Sequence, residues 1–95
     1  MGFNMPRVKV KYFGKVRTIT NKLIEEINFR GENVYDLLNS LIMIYGEKFR
    51  DVIFKDNKLA PDIIILINGK SIGENLQQKI TDGDTISILP FVSGG

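Results

Sequence analysis

The residues best suited to chemistry are the two glycines at the end of the sequence, Gly94 and Gly95, which follow Val92 and Ser93. Gly95 has no side chain to obstruct another protein's active site around its carboxyl group, and Gly94 can adopt backbone angles closed to other residues. We therefore expect a flexible tail in which Gly95 reacts and Gly94 gives clearance in a narrow channel. The alternative is a frayed end, because chain termini are often small and poorly ordered.

The rest of the composition offers little for catalysis by the chain itself. Cysteine and histidine are both absent, so the usual nucleophile, general base and transition-metal ligands are missing. Asp82 and Asp84 flank Gly83, which is far more typical of a turn than of a metal site. Asp36 and Asp62 are predicted to be helix-cap and loop residues. We expect no metal and no bound cofactor, and we expect the chain not to be catalytic alone.

The length and apolar pattern predict one small domain. A chain of 95 residues can bury one modest core. The longest apolar stretches, near residues 41–44 and 63–67, are too short to span a bilayer. The first residues lack a basic flank followed by an apolar run, so no signal peptide is predicted. A cytoplasmic location without membrane association is the default expectation.

Positive charge is concentrated in the first third of the chain. Residues 1–30 hold seven basic side chains against two acidic ones, whereas residues 31–95 hold six against nine. Such a basic region could indicate nucleic-acid binding. Over residues 7–12, however, basic and apolar residues alternate, which is typical of the solvated face of a strand. We therefore predict no nucleic-acid partner.

The N-terminal third is predicted to form a hairpin. Alternation over residues 8–13 indicates a first strand, a turn follows at 14–15, and a second strand is expected over 16–29 with an irregularity near 21–22. Aromatic residues dominate small cores. The aromatic side chains predicted to lie in the core are Tyr12, Phe13, Phe49 and Phe54.

A helix is predicted over residues 34–45. Its apolar residues recur at the spacing of one buried helical face. Asn33 is the expected N-cap, and Gly46 is expected to end the helix. The following segment, 47–54, shows no firm pattern; a short turn of helix packed through Phe49, Val52 and Ile53 is compatible with it.

The C-terminal half predicts three more strands. Residues 63–67 are apolar throughout and indicate a central strand covered on both faces or nearly so. A turn at Asn68-Gly69 leads to a short strand over 70–72, and a final strand is expected over 85–89. Pro90 is expected to end it.

These elements together predict an α+β domain with the β-grasp arrangement. One main helix would cover one face of a mixed sheet of four to five strands. The predicted division is an N-terminal extension over 1–6, a β-grasp domain over 7–90 and a C-terminal tail over 91–95.

Several segments of the chain carry a family resemblance after Pro6. The sequence resembles the ubiquitin-like sulfur carriers, most closely the MoaD family, the small subunit of molybdopterin synthase. The matching segments are the first strand at 8–14, the start of the helix at 33–38, the turn at 67–69, the turn and strand at 81–86, and the end at 89–95. Two positions depart from the family pattern, since Phe91 replaces a second proline and Ser93 replaces the more usual alanine or threonine.

The resemblance implies chemistry that other proteins perform on the tail. An E1-like enzyme would adenylate the carboxylate of Gly95 with ATP, and a sulfur donor would displace AMP to leave a thiocarboxylate. The large subunit of molybdopterin synthase would then bring this sulfur to a pterin precursor. In this scheme Gly94 gives clearance, while Phe91, Val92 and Ser93 contact the partner. The sheet face near the final strand is the expected surface of association.

Three other functions are compatible with the same residues. The chain could be a protein modifier joined through Gly95 to lysines of target proteins, which requires the same adenylation. It could be the sulfur carrier of thiazole synthesis, although those chains generally lack the stretch between Gly46 and Ala60. It could also be a plain β-grasp interaction domain whose tail has no role.

Overall fold

The computed structural model describes residues 5–91, which form seven strands and three helices. The strands are β1 (Arg7–Tyr12), β2 (Ile24–Asn28), β3 (Phe54–Lys55), β4 (Lys58–Leu59), β5 (Ile63–Ile67), β6 (Lys70–Ser71) and β7 (Thr85–Pro90). The helices are α1 (Gly14–Thr20), α2 (Val34–Tyr45) and α3 (Glu47–Ile53). Within residues 5–91, every helix falls short of the length and apolarity that a bilayer span demands.

Five of the strands form one mixed sheet in the order β2-β1-β7-β5-β6, and β3 pairs with β4 in a separate two-stranded ribbon. β1 and β7 run parallel, whereas the other neighbours are antiparallel. Parallel pairing requires a long crossover between the strands, and here the crossover contains all three helices. The predicted β-grasp arrangement with a mixed sheet is therefore confirmed.

The core lies between one face of this sheet and the helices. Alternate residues of β1 and β7 point inward and are fully buried, as the period of two along a strand requires. They pack with the apolar faces of α2 and α3 in one cluster. Its largest members are Tyr12, Phe29, Phe49, Leu37, Leu38, Leu41, Ile53, Ile65, Ile80, Ile86 and Ile88.

Helix α2 follows its sequence prediction closely. The side chain of Asn33 accepts a hydrogen bond of 2.9 Å from the amide of Asp36, and Asp36 Oδ2 accepts one of 2.9 Å from the amide of Glu32. The first bond satisfies an amide group that a helix start leaves unpaired, and the second ties Asp36 to the residue before the cap. The helix ends at Gly46, whose amide bonds to Ile42. The predicted cap and end residues are confirmed.

The predicted second strand over 16–29 is wrong in its first part. Residues 14–20 form α1, which begins at Gly14 (φ +55°) and ends at Asn21 (φ 59°), both in the left-handed region. Val16 and Thr20 lie four residues apart and are both buried, so their spacing also fits one helical face. The strand that returns along β1 is limited to Ile24–Asn28.

Two burial predictions also need correction. β7, not β5, is the middle strand of the sheet, and β5 has only the two-residue strand β6 on its other side. Ile63 and Ile65 are buried while Ile64 and Leu66 are only half-buried, so β5 is covered well on one face. Phe13, predicted in the core, is 38% exposed because it continues the outward positions of β1.

Candidate functional site

The middle strand β7 leads directly to the predicted tail. Its last residue, Pro90, pairs with Ile63 of β5. Phe91 continues this antiparallel register, since its amide nitrogen donates a hydrogen bond of 2.6 Å to the carbonyl oxygen of Asp62. The Phe91 side chain is 54% exposed, so the predicted partner-binding role falls on an accessible aromatic ring. The other predicted site residues lie outside the described residues: Val92, Ser93, Gly94 and Gly95.

The start of α1 packs against the end of β7. A Cβ atom added to Gly14 would lie 2.7 Å from Pro90 Cγ and 3.1 Å from Pro90 Cδ. The first distance is shorter than real Cβ contacts, and the φ of +55° at Gly14 is one that side chains disfavour. Glycine at this position therefore allows the proline ring to lie directly against the backbone of α1.

An ion pair joins α1 to the residue that binds the Phe91 amide. Lys15 Nζ donates a hydrogen bond to Asp62 Oδ2, and both side chains are about half exposed. The Lys15 ammonium holds the pKa of the Asp62 carboxyl below its usual value. The sequence placed Lys15 in a hairpin turn and Asp62 in a loop, and no local pattern links positions 47 residues apart.

The sheet face opposite the helices is apolar near the end of β7 and basic near the start of β7. Strand alternation places these side chains on one surface, because β1, β7 and β5 are paired in a fixed register. We call it the outer sheet face; its lysine and apolar side chains are Lys9, Lys11, Phe13, Ile64, Leu66, Leu89 and Phe91, and Arg7, Thr85 and Ser87 also lie on it. Neither lysine of this face forms an ion pair with any residue of 5–91. The surface therefore combines accessible apolar groups with free positive charge.

The acidic residues of the last turn are used in hydrogen bonds. Asp82 Oδ1 accepts from the Arg7 amide at 2.8 Å, and Asp84 accepts from the Thr81 amide and from Asn68 Nδ2, each at 2.9 Å. Burial opposes ionisation of Asp84, but the bonds from Thr81 and Asn68 hold its pKa below the usual value. The predicted turn role is confirmed. In the described part of the chain, no group of three or more histidine, cysteine, aspartate or glutamate residues is placed so that it could hold a metal ion.

A second cluster of titratable groups was not predicted. Glu25 Oε2 accepts hydrogen bonds of 2.5 Å from both Tyr12 Oη and Tyr45 Oη, and Glu25 Oε1 accepts one of 3.1 Å from Lys22 Nζ. Burial raises the pKa of the Tyr12 phenol, and the Glu25 carboxylate raises it further. Glu25 pairs with Val10 and therefore lies on the inner side of β2, a register that the sequence pattern alone did not predict.

The strand order, with β1 and β7 paired in parallel, defines a β-grasp protein, and solved structures confirm its ubiquitin-like class. The small archaeal modifier protein 1 from Methanosarcina acetivorans is 39% identical, with a TM-score of 0.78 over 96% of this chain and 98% of that one. A Pyrococcus furiosus protein, provisionally described as subunit 1 of a molybdopterin converting factor, is 30% identical. Its TM-score is 0.75 over 92% of this chain and 99% of that one.

The chain belongs to the ThiS family, whose sequence model matches residues 10–95. An Archaeoglobus fulgidus protein, provisionally assigned as a sulfur carrier protein, is 33% identical over 72 residues. That match covers 74% of this chain and 82% of the relative. The predicted family of ubiquitin-like sulfur carriers is thus confirmed. The description of the P. furiosus protein makes it one subunit of a larger factor.

Proposed function

We propose that this chain is a sulfur carrier for molybdopterin synthesis and that the carboxylate of Gly95 is its reacting group. The observation that carries the proposal is the position of Phe91. This exposed residue directly follows the middle strand β7 and directly precedes the last four residues of the chain. Membership of the ThiS family and the description of the P. furiosus structure support it.

The proposed chemistry takes place in two steps on partner enzymes. In the first step a carboxylate oxygen of Gly95 attacks the α-phosphorus of ATP, which forms the acyl-adenylate and releases pyrophosphate. In the second step a sulfur donor at the level of hydrosulfide attacks the acyl carbon. The bond to AMP breaks, AMP leaves, and a thiocarboxylate remains. Adenylation is needed because a free carboxylate is a poor electrophile, and the partner handles the phosphates and Mg²⁺.

This chain contributes binding and presentation to these steps. The sequence contains no histidine or cysteine that could activate the attacking group. The outer sheet face provides accessible apolar groups next to the tail, which suits a partner protein. Lys9 and Lys11 are exposed and lack ion pairs within residues 5–91, so the complementary partner surface is expected to be acidic.

The test is the intact mass of the protein after incubation with ATP, its E1-like enzyme and a sulfur donor. We expect a gain equal to the replacement of one oxygen by sulfur, and no gain in a variant lacking Gly95. Addition of the large synthase subunit and the pterin precursor should then return the original mass. An unchanged mass, with the enzyme shown to be active on another carrier, would contradict the sulfur-carrier proposal. Stable thiocarboxylate in the presence of the pterin precursor would contradict the molybdopterin role.

A protein-modifier function is the second candidate. The identity of 39% to the M. acetivorans modifier over nearly its whole length favours it. Both functions begin with adenylation, so the acceptor distinguishes them. Mass-spectrometric detection of Gly-Gly remnants on lysines of other proteins, lost when Gly95 is deleted, would establish conjugation.

A further inference from the structure

We infer that Gly14, Lys15 and Asp62 are positioning residues for the chemistry at Gly95. Together they fix the course of the chain at Pro90 and Phe91 before any partner binds; we call these three residues the tail clamp. The inference rests on the proposed function, because positioning has a consequence only if Gly95 reacts.

The first part of the clamp is steric. The Pro90 ring lies so close to Gly14 that an added Cβ would come within 2.7 Å of Pro90 Cγ. Gly14 is also tied to its surroundings by its neighbours, since the Phe13 amide donates a hydrogen bond of 3.1 Å to the carbonyl oxygen of Ile88 on β7. The start of α1 and the end of β7 therefore form one packed unit.

The second part of the clamp is polar. The carbonyl oxygen of Asp62 accepts from the Phe91 amide at 2.6 Å, while the carboxylate of the same residue pairs with Lys15 of α1. Asp62 thereby connects Phe91 to α1 through its backbone and its side chain. The chain at 90–91 is therefore held by two separate contacts, one through the Pro90 ring and one through the Phe91 amide.

The expected consequence is a lower entropic cost of binding. A partner that encloses the tail must order the chain that leads into it, and each free backbone residue adds to that cost. A clamp that orders residues 90–91 beforehand removes part of it. This saving is the same in the bound substrate and the transition state, so it appears in KM and leaves kcat unchanged.

Two glycine substitutions separate the clamp from simple backbone strain. Gly14→Ala introduces both a left-handed alanine and the contact with Pro90. Gly73→Ala introduces the strain alone, because Gly73 has a similar φ of +61° and nothing within 4 Å of an added Cβ. We expect amide hydrogen exchange at Phe91, measured by NMR, to become about five-fold faster in Gly14→Ala and to stay unchanged in Gly73→Ala. Equal exchange at Phe91 in both variants would overturn the clamp.

Kinetics with the E1-like enzyme test the positioning role. For Gly14→Ala we expect KM to rise roughly ten-fold while kcat stays within about two-fold, because the ordering cost returns at binding. Gly73→Ala should keep the wild-type KM. Faster exchange at Phe91 together with an unchanged KM would overturn the positioning role.

A charge exchange keeps the test valid if Gly14→Ala does not fold. Lys15→Asp and Asp62→Lys should each raise KM about two- to three-fold, the effect of one exposed ion pair. The double variant reverses the pair and should restore KM, whereas a double variant no better than the single ones would overturn the role of these side chains. Normal conversion with unchanged KM in every variant would overturn the inference alone. Absence of thiocarboxylate in the wild-type chain would overturn the proposed function. Absence of the Gly95 acyl-adenylate as well would overturn the positioning role with it.

Discussion

Glu25 on the edge strand β2 accepts a hydrogen bond of 2.5 Å from the phenol of Tyr45, which is the last residue of α2. The same carboxylate oxygen accepts from Tyr12 at the end of β1. One carboxylate therefore joins two strands of the sheet to the main helix. Hydrogen bonds to a charged group are stronger than those between neutral groups, so this partly buried connection should contribute measurably to stability.

Replacing Glu25 by glutamine should destabilise the fold. The variant Glu25→Gln loses the negative charge that two phenols and Lys22 bind. We expect the free energy of unfolding, measured by urea denaturation at neutral pH, to fall by about 1–3 kcal/mol. The matched control is Glu26→Gln, because Glu26 pairs with Arg7 on the exposed side of the same strand. The control should change stability by less than about 1 kcal/mol. Equal losses in the two variants would contradict the special role of Glu25.

The same carboxylate predicts acid sensitivity. Burial opposes its ionisation, but bonds from Tyr12, Tyr45 and Lys22 together hold the pKa of Glu25 below 4.5, its ordinary value. A folded pKa below the unfolded one means that the ionised group stabilises the fold above pH 4.5 and that this stability is lost as the pH falls through the folded value. The difference in melting temperature between wild type and Glu25→Gln should therefore shrink in the acid range. A difference that stays constant there would contradict the assignment.

The turn after β5 should depend on the side chain of Asn68. Asn68 lies at φ 50°, donates to Asp84 and accepts from the Thr85 amide at 2.9 Å. Asn68→Ala should lower the free energy of unfolding by roughly 2–3 kcal/mol, from backbone strain and two lost hydrogen bonds. Asn57→Ala is the control, since Asn57 lies at φ 63° and its side chain makes no hydrogen bond within residues 5–91. It should lose about 1 kcal/mol, from strain alone. If Asn68→Ala and Asn57→Ala unfolded at the same urea concentration, the two side-chain hydrogen bonds of Asn68 would make no contribution to stability.

The terminal glycine should matter for activity and not for folding. Gly95→Ala is expected to keep the wild-type melting temperature and to lose thiocarboxylate formation, because the added methyl group obstructs the partner's channel. One residue added after Gly95 should have the same effect, since it places the reacting carboxylate in a peptide bond. Intact mass and thermal unfolding measure the two quantities. A matching drop in melting temperature would show that the loss is structural.

The free lysines of the outer sheet face should accelerate association with the activating enzyme. Lys11→Glu is expected to lower the association rate constant by about three- to ten-fold at low ionic strength, and less as salt screens the charge. Lys48→Glu is the control, because Lys48 lies on α3, is exposed and forms no ion pair with residues 5–91. Stopped-flow measurements over a salt series give both rates. Equal slowing in the two variants would indicate a general charge effect without a preferred face.

Local signals in the sequence were sufficient for α2 and for the turns. Asn33, the apolar spacing of 34–45 and Gly46 act within a few residues of one another, so the helix and its ends could be predicted. The turns at 68–69 and 82–84 likewise have their own chemistry. The alternation of β1 and β7 was read correctly for the same reason.

Helix α1 was missed because its seven residues are too few to be stable as an isolated helix. Its β-branched residues also favour a strand when read locally. In the folded chain, packing of Gly14 on Pro90 and burial of Val16 select the helix. The contact partner of Gly14, Pro90, lies more than seventy positions away in the sequence.

The sequence by itself determined the family pattern, the main helix and the choice of Gly95 as the candidate reacting residue, because these depend on neighbouring residues. The tertiary structure decided that β7 lies in the middle of the sheet, that Phe13 and Phe91 face outward, and that Lys15 meets Asp62. Strand order and ion pairs across the chain depend on which distant segments pack together. That choice minimises exposed apolar surface over the whole domain, and no short stretch of sequence contains it.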